Sequence, residues 1–245
     1  MITSVKNEKV KAWKKLHKRK ERTNTGLFLI EGFHLLEEAF NSDWQINEII
    51  VQEGATLPEW ATDFLVEPVS ENVMAHISQT TTPQGVLAVI KMKKQNAYSG
   101  SHFLIIDSIQ DPGNLGTIIR TADAAGMDAI ILGEGTVDLY NDKVIRATQG
   151  SIFHIPIYQA NLYEELGNLK REGFSIWATA LLNATKYNET VPEEKVAIVL
   201  GNEGAGVQDE LMELADRIVT IPIYGKAESL NVSIAAGILM YHLKG

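Results

Sequence analysis

Three loops of the chain hold polar side chains and glycines in patterns suited to binding or catalysis. The first is DSIQDPGNLGTIIRTADAA, residues 107–125. Its Asp-Pro-Gly sequence predicts a turn, and Asn114 is a good N-cap for the helix that follows. Arg120 lies six residues beyond that cap, on a helix whose apolar residues hold it to a core. Taken alone, the segment favours a capped helix that exposes one arginine over a functional site.

The second and third loops also follow predicted strands. In VLGNEGAGV, residues 199–207, three glycines allow the backbone to approach a ligand closely, and Glu203 lies among them. In IPIYGKAESLNVS, residues 221–233, Ser229 and Asn231 precede a helix that begins with small residues. The structural alternative for the second loop is a plain turn with an exposed glutamate. For the third loop it is a helix N-cap provided by Ser229 or Asn231.

Several common chemistries are excluded by motifs that the sequence lacks. It contains no G-x-x-x-x-G-K-[ST] phosphate loop, no H-E-x-x-H zinc motif and no G-x-S-x-G nucleophile elbow. Cysteine is absent and the six histidines never recur four residues apart, so no metal site is predicted. Gly133 and Gly135 follow a strand without the third glycine of a dinucleotide-binding loop. A doubly wound oxidoreductase is therefore an alternative that this pattern disfavours.

The elements that must position these loops alternate between strand and helix, which predicts an α/β fold with a parallel sheet and right-handed crossovers. Apolar runs such as HFLIID, residues 102–107, are typical of parallel strands buried on both faces. Sheets of this kind bind ligands outside the carboxyl ends of their strands, where all three loops begin. A polar stretch at 91–100 is the predicted linker, and it divides the chain into domains 1–95 and 96–245.

The predicted elements form two alternating blocks, one on each side of that linker. The predicted strands are 27–30, 46–51, 65–66, 86–90, 102–107, 129–132, 155–158, 175–180, 196–200 and 218–221. The predicted helices cover about 33–40, 71–77, 115–125, 142–149, 161–171, 207–214 and 232–243.

The net charge of −9 conceals an uneven distribution. Residues 1–22 hold nine basic and two acidic residues, a charge of +7, whereas the rest of the chain carries −16. Such asymmetry is typical of a polyanion-binding arm on an acidic body, although a solvated helix face is the alternative. Apolar residues recur in the arm at helical spacing, so we expect one helix there. The candidate polyanion-binding residues are Lys11, Lys14, Lys15, Lys18, Arg19, Lys20 and Arg22.

No apolar run approaches the roughly 18 residues that a membrane-spanning helix needs. The basic residues at the amino terminus are not followed by the apolar segment of a secretory signal. The lack of cysteine suits a cytosolic protein. We therefore expect a cytoplasmic location and no membrane partner.

Three segments together resemble the motifs of the SpoU, or TrmH-like, family of RNA ribose 2′-O-methyltransferases within the SPOUT superfamily. They are DPGNLGTIIRTADAAG, VLGNEGAGV and IPIYGKAESLNVSIAAGI, in the order of the family and near its spacing. The basic stretch VKAWKKLHKRKERTNTGLFLIEGFHLLEEA resembles the stretch that precedes and opens the family's amino-terminal RNA-binding domain. The resemblance covers almost the whole chain.

The resemblance implies a SPOUT-type α/β fold, in which a parallel sheet carries a carboxyl-terminal trefoil knot and a smaller α/β RNA-binding domain precedes it. It further implies a homodimer that binds S-adenosylmethionine in the knot, largely through backbone groups. The implied cofactor contacts are Leu200, Gly201, Ile221 and Leu230. The residues that match the family's functional polar positions are Asn114, Arg120, Glu203, Ser229 and Asn231.

The implied reaction is attack of a ribose 2′-hydroxyl on the methyl group of S-adenosylmethionine. The family proposal gives Arg120 the role of base, often across the dimer, but a protonated arginine has no acceptor and a pKa above about 12. We therefore expect Arg120 to bind the adjacent phosphate and to stabilise the developing alkoxide. The proton would leave through Glu203, phosphate or water, or Glu203 would instead orient Arg120.

The resemblance also assigns a partner to the basic arm, whose cations would bind RNA phosphates. Trp13 either packs against the first domain or stacks on a base. Ribosomal RNA is the favoured substrate because of the separate amino-terminal domain, and transfer RNA is the alternative. A non-catalytic RNA-binding or ribosome-assembly factor that keeps the fold is a further alternative, which the intact Asn114, Arg120, Glu203 and Asn231 disfavour.

Overall fold

The structure is a computed structural model that describes residues 1–93 and 98–245. The chain divides into two compact units, of which one comprises Met1–Lys94 and Asp138–Phe153 and the other Gln95–Val137 and His154–Gly245. The predicted boundary between residues 95 and 96 lies outside the described residues. The sequence assigns Asp138–Phe153 to the second domain, whereas the structure groups this segment with the first unit.

The described residues form strands and helices that follow the predicted alternation. The strands are β1 (Leu27–Glu31), β2 (Ile46–Gln52), β3 (Val66–Val69), β4 (Val86–Lys91), β5 (His102–Ile106), β6 (Ala129–Leu132), β7 (Ile157–Gln159), β8 (Ser175–Thr179), β9 (Thr185–Lys186), β10 (Val196–Leu200) and β11 (Arg217–Thr220). The helices are α1 (Glu8–Lys15), α2 (Arg19–Thr25), α3 (Phe33–Phe40), α4 (Glu71–Ile77), α5 (Pro112–Ala124), α6 (Asp142–Thr148), α7 (Leu162–Arg171), α8 (Asp209–Met212) and α9 (Val232–Lys244). Short 3-10 turns lie at Glu59–Asp63, Ser151–Phe153 and Tyr187–Glu189.

The sheet of the first unit is mixed, with the strand order β1-β4-β2-β3. Strand β4 runs antiparallel to both β1 and β2, whereas β2 and β3 are parallel. The prediction of a parallel sheet is therefore wrong for this unit. Five consecutive residues of β4 are buried, and such an apolar run predicts a buried strand without fixing the direction of its neighbours.

The basic arm folds onto the first unit as two helices, α1 and α2, rather than as the single predicted helix. Val10, Trp13 and Leu16 are buried in a cluster with side chains of α4, β2 and β4. The indole Nε1 of Trp13 also donates a hydrogen bond of 2.9 Å to the carboxylate of Glu48. The structure therefore shows Trp13 packed against the first unit, which is the first of its two predicted roles.

Arg22 differs from its prediction as an RNA-binding residue. Its guanidinium is buried, donates to the Leu16 carbonyl oxygen at 2.8 Å and forms an ion pair with Asp138. The two side chains are only 6% and 14% exposed. Because the Arg22 guanidinium is buried and paired, it attaches α2 to the segment 138–153 and is not accessible to an RNA phosphate.

The sheet of the second unit is parallel throughout its described strands, as predicted, with the order β7-β6-β5-β10-β8-β11-β9. Helices α7 and α8 cover the face that carries Phe103 and Ile105, and α5 packs against α9. The strand order reverses between β5 and β10, which is where sheets of this class place their ligands. Among the described residues, none of the helices combines the length and apolar character needed to cross a membrane.

Arg22→Ala should lower the free energy of unfolding by about 3–5 kcal/mol, because it leaves the Asp138 carboxylate without its cation in a largely buried site. Arg19→Ala, which removes an exposed arginine from the same helix, should change it by less than about 0.5 kcal/mol. Chemical denaturation of both variants measures the difference. Equal stability of the two variants would contradict the structural role of Arg22.

Candidate active site

The loop after β5 opens helix α5 with a different cap from the predicted one. Asp111 is the N-cap, because its Oδ1 accepts a hydrogen bond from the Asn114 amide at 2.8 Å, and Pro112 takes the first helical position. The prediction of Asn114 as N-cap is wrong. Asn114 is the third residue of the helix, so its side chain is available for bonds outside it.

Glu203 accepts hydrogen bonds from three donors at the amino terminus of α5. Its Oε1 accepts from the Asp111 amide and from Asn114 Nδ2, both at 3.1 Å, and its Oε2 accepts from the Gln110 amide at 3.2 Å. The helix dipole also favours a carboxylate at this end of a helix. The loop after β10 is thereby attached to the loop after the neighbouring strand β5.

These surroundings lower the pKa of the Glu203 carboxyl. Partial burial raises the pKa, but hydrogen bonds from the Asn114 side chain and from the backbone amides of Glu203, Asp111 and Gln110 outweigh it. The group is therefore ionised at neutral pH and is a weaker base than an ordinary glutamate. In the described part of the chain, Glu203 and Arg120 share neither a hydrogen bond nor an ion pair.

Asn231 connects the third loop to the same network. Its Nδ2 donates to Asn114 Oδ1 at 2.9 Å, while its Oδ1 accepts from the amide and the hydroxyl of Ser233 at 2.9 and 2.6 Å. Asn231 is thus the N-cap of α9, as its structural alternative predicts, and also a partner of Asn114. The amide of Asn114 uses its nitrogen for Glu203 and its oxygen for Asn231, so three loops meet through one side chain.

The glycine loop after β10 is closed tightly on itself. Asn202 and Gly206 exchange two backbone hydrogen bonds of 2.9 and 3.0 Å. A Cβ on Gly201 would lie 2.1 Å from the carbonyl carbon of Gly206, so no side chain fits there. The loop therefore offers mainly backbone groups to a ligand.

Two predicted catalytic residues stand outside this network. Arg120 is exposed on α5, and its guanidinium makes no hydrogen bond or ion pair within residues 1–93 and 98–245. Ser229 is exposed two residues before Asn231 and, within the same ranges, its side chain has no hydrogen-bond partner.

The four predicted cofactor residues lie at or after the ends of β10 and β11. Leu200 is the buried last residue of β10, and Gly201 follows it. Ile221 comes directly after β11, and Leu230 is 37% exposed in the third loop. The site thus has a backbone-rich loop after one strand and an exposed apolar side chain in the loop after another.

The predicted RNA-binding residues of the arm fall into two groups. Four have exposed side chains that form no hydrogen bond or ion pair among the described residues, namely Lys15, Lys18, Arg19 and Lys20. The others are engaged within the unit, since Lys11 pairs with Glu8 at 2.7 Å, Lys14 donates to the His76 carbonyl oxygen at 2.6 Å, and Arg22 is buried.

Two further features concern metal ligands and the glycine after β6. Among the described residues, the structure contains no group of three or more His, Cys, Asp or Glu side chains arranged to hold a metal ion. A Cβ on Gly133 would lie 2.5 Å from Cδ1 of Leu162, so this glycine is required for packing. The next helix after Gly133 begins only at Asp142. In a dinucleotide-binding loop, by contrast, the helix begins directly within the glycine motif.

The parallel α/β sheet ends in a polar, glycine-lined site, and the other unit carries a basic arm, which are features that suit a transferase acting on RNA. Two family models match the chain. The SpoU rRNA methylase family matches residues 101–241, and the MRM3-like substrate binding domain matches residues 7–88. The chain belongs to the SpoU rRNA methylase family.

Individual relatives agree with this membership. The 23S rRNA (guanosine(2553)-2′-O)-methyltransferase RlmP of Bacillus subtilis is 49% identical over 100% of this chain and 99% of its own length. A crystal structure of an rRNA methyltransferase from Sinorhizobium meliloti superposes with a TM-score of 0.90 at 33% identity, covering 99% of this chain and 96% of that one. Its form with bound AdoMet, S-adenosylmethionine, gives a TM-score of 0.89 with the same identity and coverage. The predicted class is confirmed: the protein is an S-adenosylmethionine-dependent RNA 2′-O-methyltransferase.

The roles of Asp111 and of the segment 138–153 are not among those predicted from the sequence. The signal for Asp111 was present, because an aspartate directly before a proline is a good N-cap followed by a residue suited to the first helical position. The sequence holds no signal that the segment 138–153 belongs to the first unit. Val144 and Ile145 show that one side of α6 is buried, but they do not specify which surface covers it.

Glu203→Gln should destabilise the protein at neutral pH and progressively less in acid. Because the folded pKa of Glu203 is lowered, its contribution is present above the unfolded pKa and is lost as the pH falls through the folded pKa. The difference in unfolding temperature between wild type and variant should therefore close below about pH 4. Glu210→Gln, at an exposed residue of α8, is the control. A difference that is the same at every pH would contradict the assigned hydrogen bonds.

Proposed function

We propose that the protein transfers the methyl group of S-adenosylmethionine to the 2′-hydroxyl of a guanosine in 23S ribosomal RNA. The relative that is 49% identical over the full chain is named for that reaction. The match of residues 7–88 to a substrate binding domain supports a structured RNA as the target. Transfer RNA is the alternative substrate.

The observation that carries the proposal is the network of Asn114, Glu203 and Asn231 at the carboxyl end of the sheet. It joins the loops that follow β5, β10 and β11, and each of these loops contains a matched family motif. Arg120 lies on the helix that Asn114 opens and keeps an unpaired guanidinium within the described chain. A ribose with its phosphate would therefore meet ordered amides and an exposed, unpaired cation.

The loops fit the cofactor. The backbone-rich glycine loop can bond polar groups of S-adenosylmethionine, and Leu230 provides apolar surface for an adenine ring. We assign cofactor contacts to Leu200, Gly201, Ile221 and Leu230. The cofactor supplies a methyl group that is already activated by the positive charge on its sulfur.

In the proposed reaction the ribose 2′-oxygen attacks the methyl carbon in line with the carbon–sulfur bond, which breaks as the carbon–oxygen bond forms. Holding the two reactants in line contributes about 7–11 kcal/mol in favourable cases. Arg120 binds the neighbouring phosphate through its planar fork and stabilises the charge that develops on the 2′-oxygen. Ser229 and Asn231 position the ribose.

The 2′-hydroxyl proton leaves to phosphate or water in this mechanism. Glu203 is a poor acceptor, because its two oxygens already hold three donors and its pKa is lowered. Its proposed task is to hold Asn114, and through Asn114 also Asn231, in place.

We further propose that the carboxyl-terminal segment forms the trefoil knot of the family and that the protein acts as a homodimer. The bonds from Asn231 back to Asn114 and the tight loop at Gly201 support the first statement. Ile234 and Tyr241 support the second, because they are 55% and 57% exposed and lie seven residues apart on one face of α9.

In this proposal the exposed cations of the arm bind RNA phosphates. The acidic body of the chain repels RNA, so the affinity depends on Lys15, Lys18, Arg19 and Lys20. Because ribosomal RNA is a cytoplasmic substrate, we propose that the protein acts in the cytoplasm.

Arg120→Ala should abolish methyl transfer and leave the affinity for S-adenosylmethionine nearly unchanged, because the guanidinium acts on the RNA. Arg120→Lys should also be poor, since an ammonium lacks the planar fork. The measurement is a map of 2′-O-methyl groups in total RNA from cells with wild type, with the variants and without the protein, together with calorimetry of cofactor binding. Arg171→Ala, on the exposed side of α7, is the control.

Wild-type methylation by Arg120→Ala would overturn the role of Arg120. A methyl group that depends on the protein but lies in transfer RNA would overturn the proposed substrate. A wild-type protein that binds no cofactor would overturn the proposed activity.

Replacing Lys15, Lys18, Arg19 and Lys20 together by alanine should weaken RNA binding and reduce the slope of log affinity against log salt by roughly 3, because each phosphate contact releases a counterion. The control is Lys9→Ala/Lys11→Ala, since these lysines already pair with Glu67 and Glu8. Titrations at several salt concentrations measure both slopes. An unchanged slope in the fourfold variant would refute this role of the arm.

A further inference from the structure

Both ends of the glycine loop are hydrogen-bonded to one dipeptide, Asp107–Ser108, directly after β5. At the start of the loop, Asn202 Nδ2 donates to the Ser108 carbonyl oxygen at 2.8 Å. At its end, the Gln208 amide donates to Asp107 Oδ2 at 2.8 Å, and Gln208 Nε2 donates to Asp107 Oδ1 at 2.5 Å. One short segment therefore fixes the loop at two points.

The carboxylate of Asp107 is unusually placed for a charged group. The residue is 1% exposed, and in the described chain no cation pairs with it. Burial of a carboxylate is unfavourable unless hydrogen bonds replace its water. Here the two bonds from Gln208 do so, with the Ser108 hydroxyl also 3.0 Å from Oδ1. The position of Gln208 is consequently tied to that of Asp107.

Asn202 orders the interior of the loop from the other end. Its Oδ1 accepts from the amides of Gly204 and Ala205 at 2.9 and 3.0 Å, while its Nδ2 is bonded to Ser108. Ser108 adopts a left-handed φ of 59°, which is uncommon for a residue with a side chain. This backbone is maintained by the bonds around it rather than by local preference.

We propose that Asp107, Asn202 and Gln208 are positioning residues that fix the glycine loop against the loop after β5 and thereby set the affinity for S-adenosylmethionine. The inference rests on the proposed function, since the assigned cofactor contacts Leu200 and Gly201 lie at the start of this loop. A loop with three glycines loses much conformational freedom when it is ordered. Bonds that order it before the cofactor arrives reduce that loss during binding.

An exchange of donor and acceptor tests the proposal. Asp107→Asn places an NH₂ donor opposite one of the two Gln208 donors. Gln208→Glu places a second carboxylate, which can only accept, opposite the carboxylate of Asp107. Each should weaken cofactor binding by on the order of tenfold or more, as expected when a bond to a charged group is lost. In the double variant Asp107→Asn/Gln208→Glu, an amide and a single carboxylate again face each other, so donors again lie opposite acceptors. This variant should recover most of the affinity for S-adenosylmethionine.

Calorimetry of the full-length protein measures the affinity, and steady-state kinetics should show a raised KM for S-adenosylmethionine with an unchanged KM for RNA. The matched control is Asp128→Asn. The Asp128 carboxylate accepts the amides of Ser101 and His102 at 2.8 and 2.9 Å at the other end of β5. This control should lower the unfolding temperature without weakening cofactor binding.

Wild-type affinity in Asp107→Asn, or a folded double variant without recovery, would overturn the positioning role. Equal weakening by Asp128→Asn would reduce the effect to general stability and overturn it as well. Gln208→Ala keeps the Asp107 carboxylate and its hydrogen bond from the backbone amide of residue 208, and loses only the bond from the side chain. We therefore expect a smaller loss of cofactor affinity, and wild-type affinity in this variant would contradict the proposal even if Asp107→Asn does not fold. Failure of the wild type to bind the cofactor would instead overturn the proposed function.

Discussion

The carboxylate of Glu203 is the interaction on which the arrangement of the site depends. It accepts hydrogen bonds from the backbone amides of Gln110 and Asp111 at the start of α5 and at the same time from the side chain of Asn114. Asn114 then fixes Asn231, which begins α9. One charged acceptor thus orders the ends of two helices and the loops of three strands, and its hydrogen bonds are strongest while it is ionised.

Ordered and exposed parts of the site have different tasks. The asparagines and the glycine loop are held by hydrogen bonds, which suits the binding of a cofactor in one conformation. Arg120 and the four exposed cations of the arm have no such bonds within the described chain, which suits contact with a large polyanion. Because charges farther apart than about 8 Å are screened at physiological salt, the net charge of the body matters less than these local cations.

The sequence predicts the elements of the second unit closely, since strands 129–132 and 196–200 and the parallel direction of the sheet are found as expected. Buried parallel strands produce apolar runs that end where their environment changes, so their bounds are visible in the chain. The mixed sheet of the first unit was not predictable in the same way, because strand direction depends on partners far away in sequence.

The candidate site was predicted as a set of loops and not as a set of contacts. Sequence placed Asn114, Glu203 and Asn231 at the same edge of the sheet, but it gave Asn114 the capping role that Asp111 performs. Charge alone does not reveal burial, so the sequence does not distinguish the buried Arg22 from the exposed basic residues of the arm. Which polar groups share a hydrogen bond depends on distances of a few tenths of an ångström, and spacing along a chain does not contain them.

The grouping of Asp138–Phe153 with the first unit has a consequence for biosynthesis. Helix α6 and the carboxylate that pairs with Arg22 are encoded after β5 and β6 of the second unit. A nascent chain that has emerged only to residue 95 therefore lacks part of the first unit, although all four strands of that sheet are present. Domains usually fold as units during synthesis, but here the first unit reaches its complete form only after the opening strands of the second have also left the ribosome.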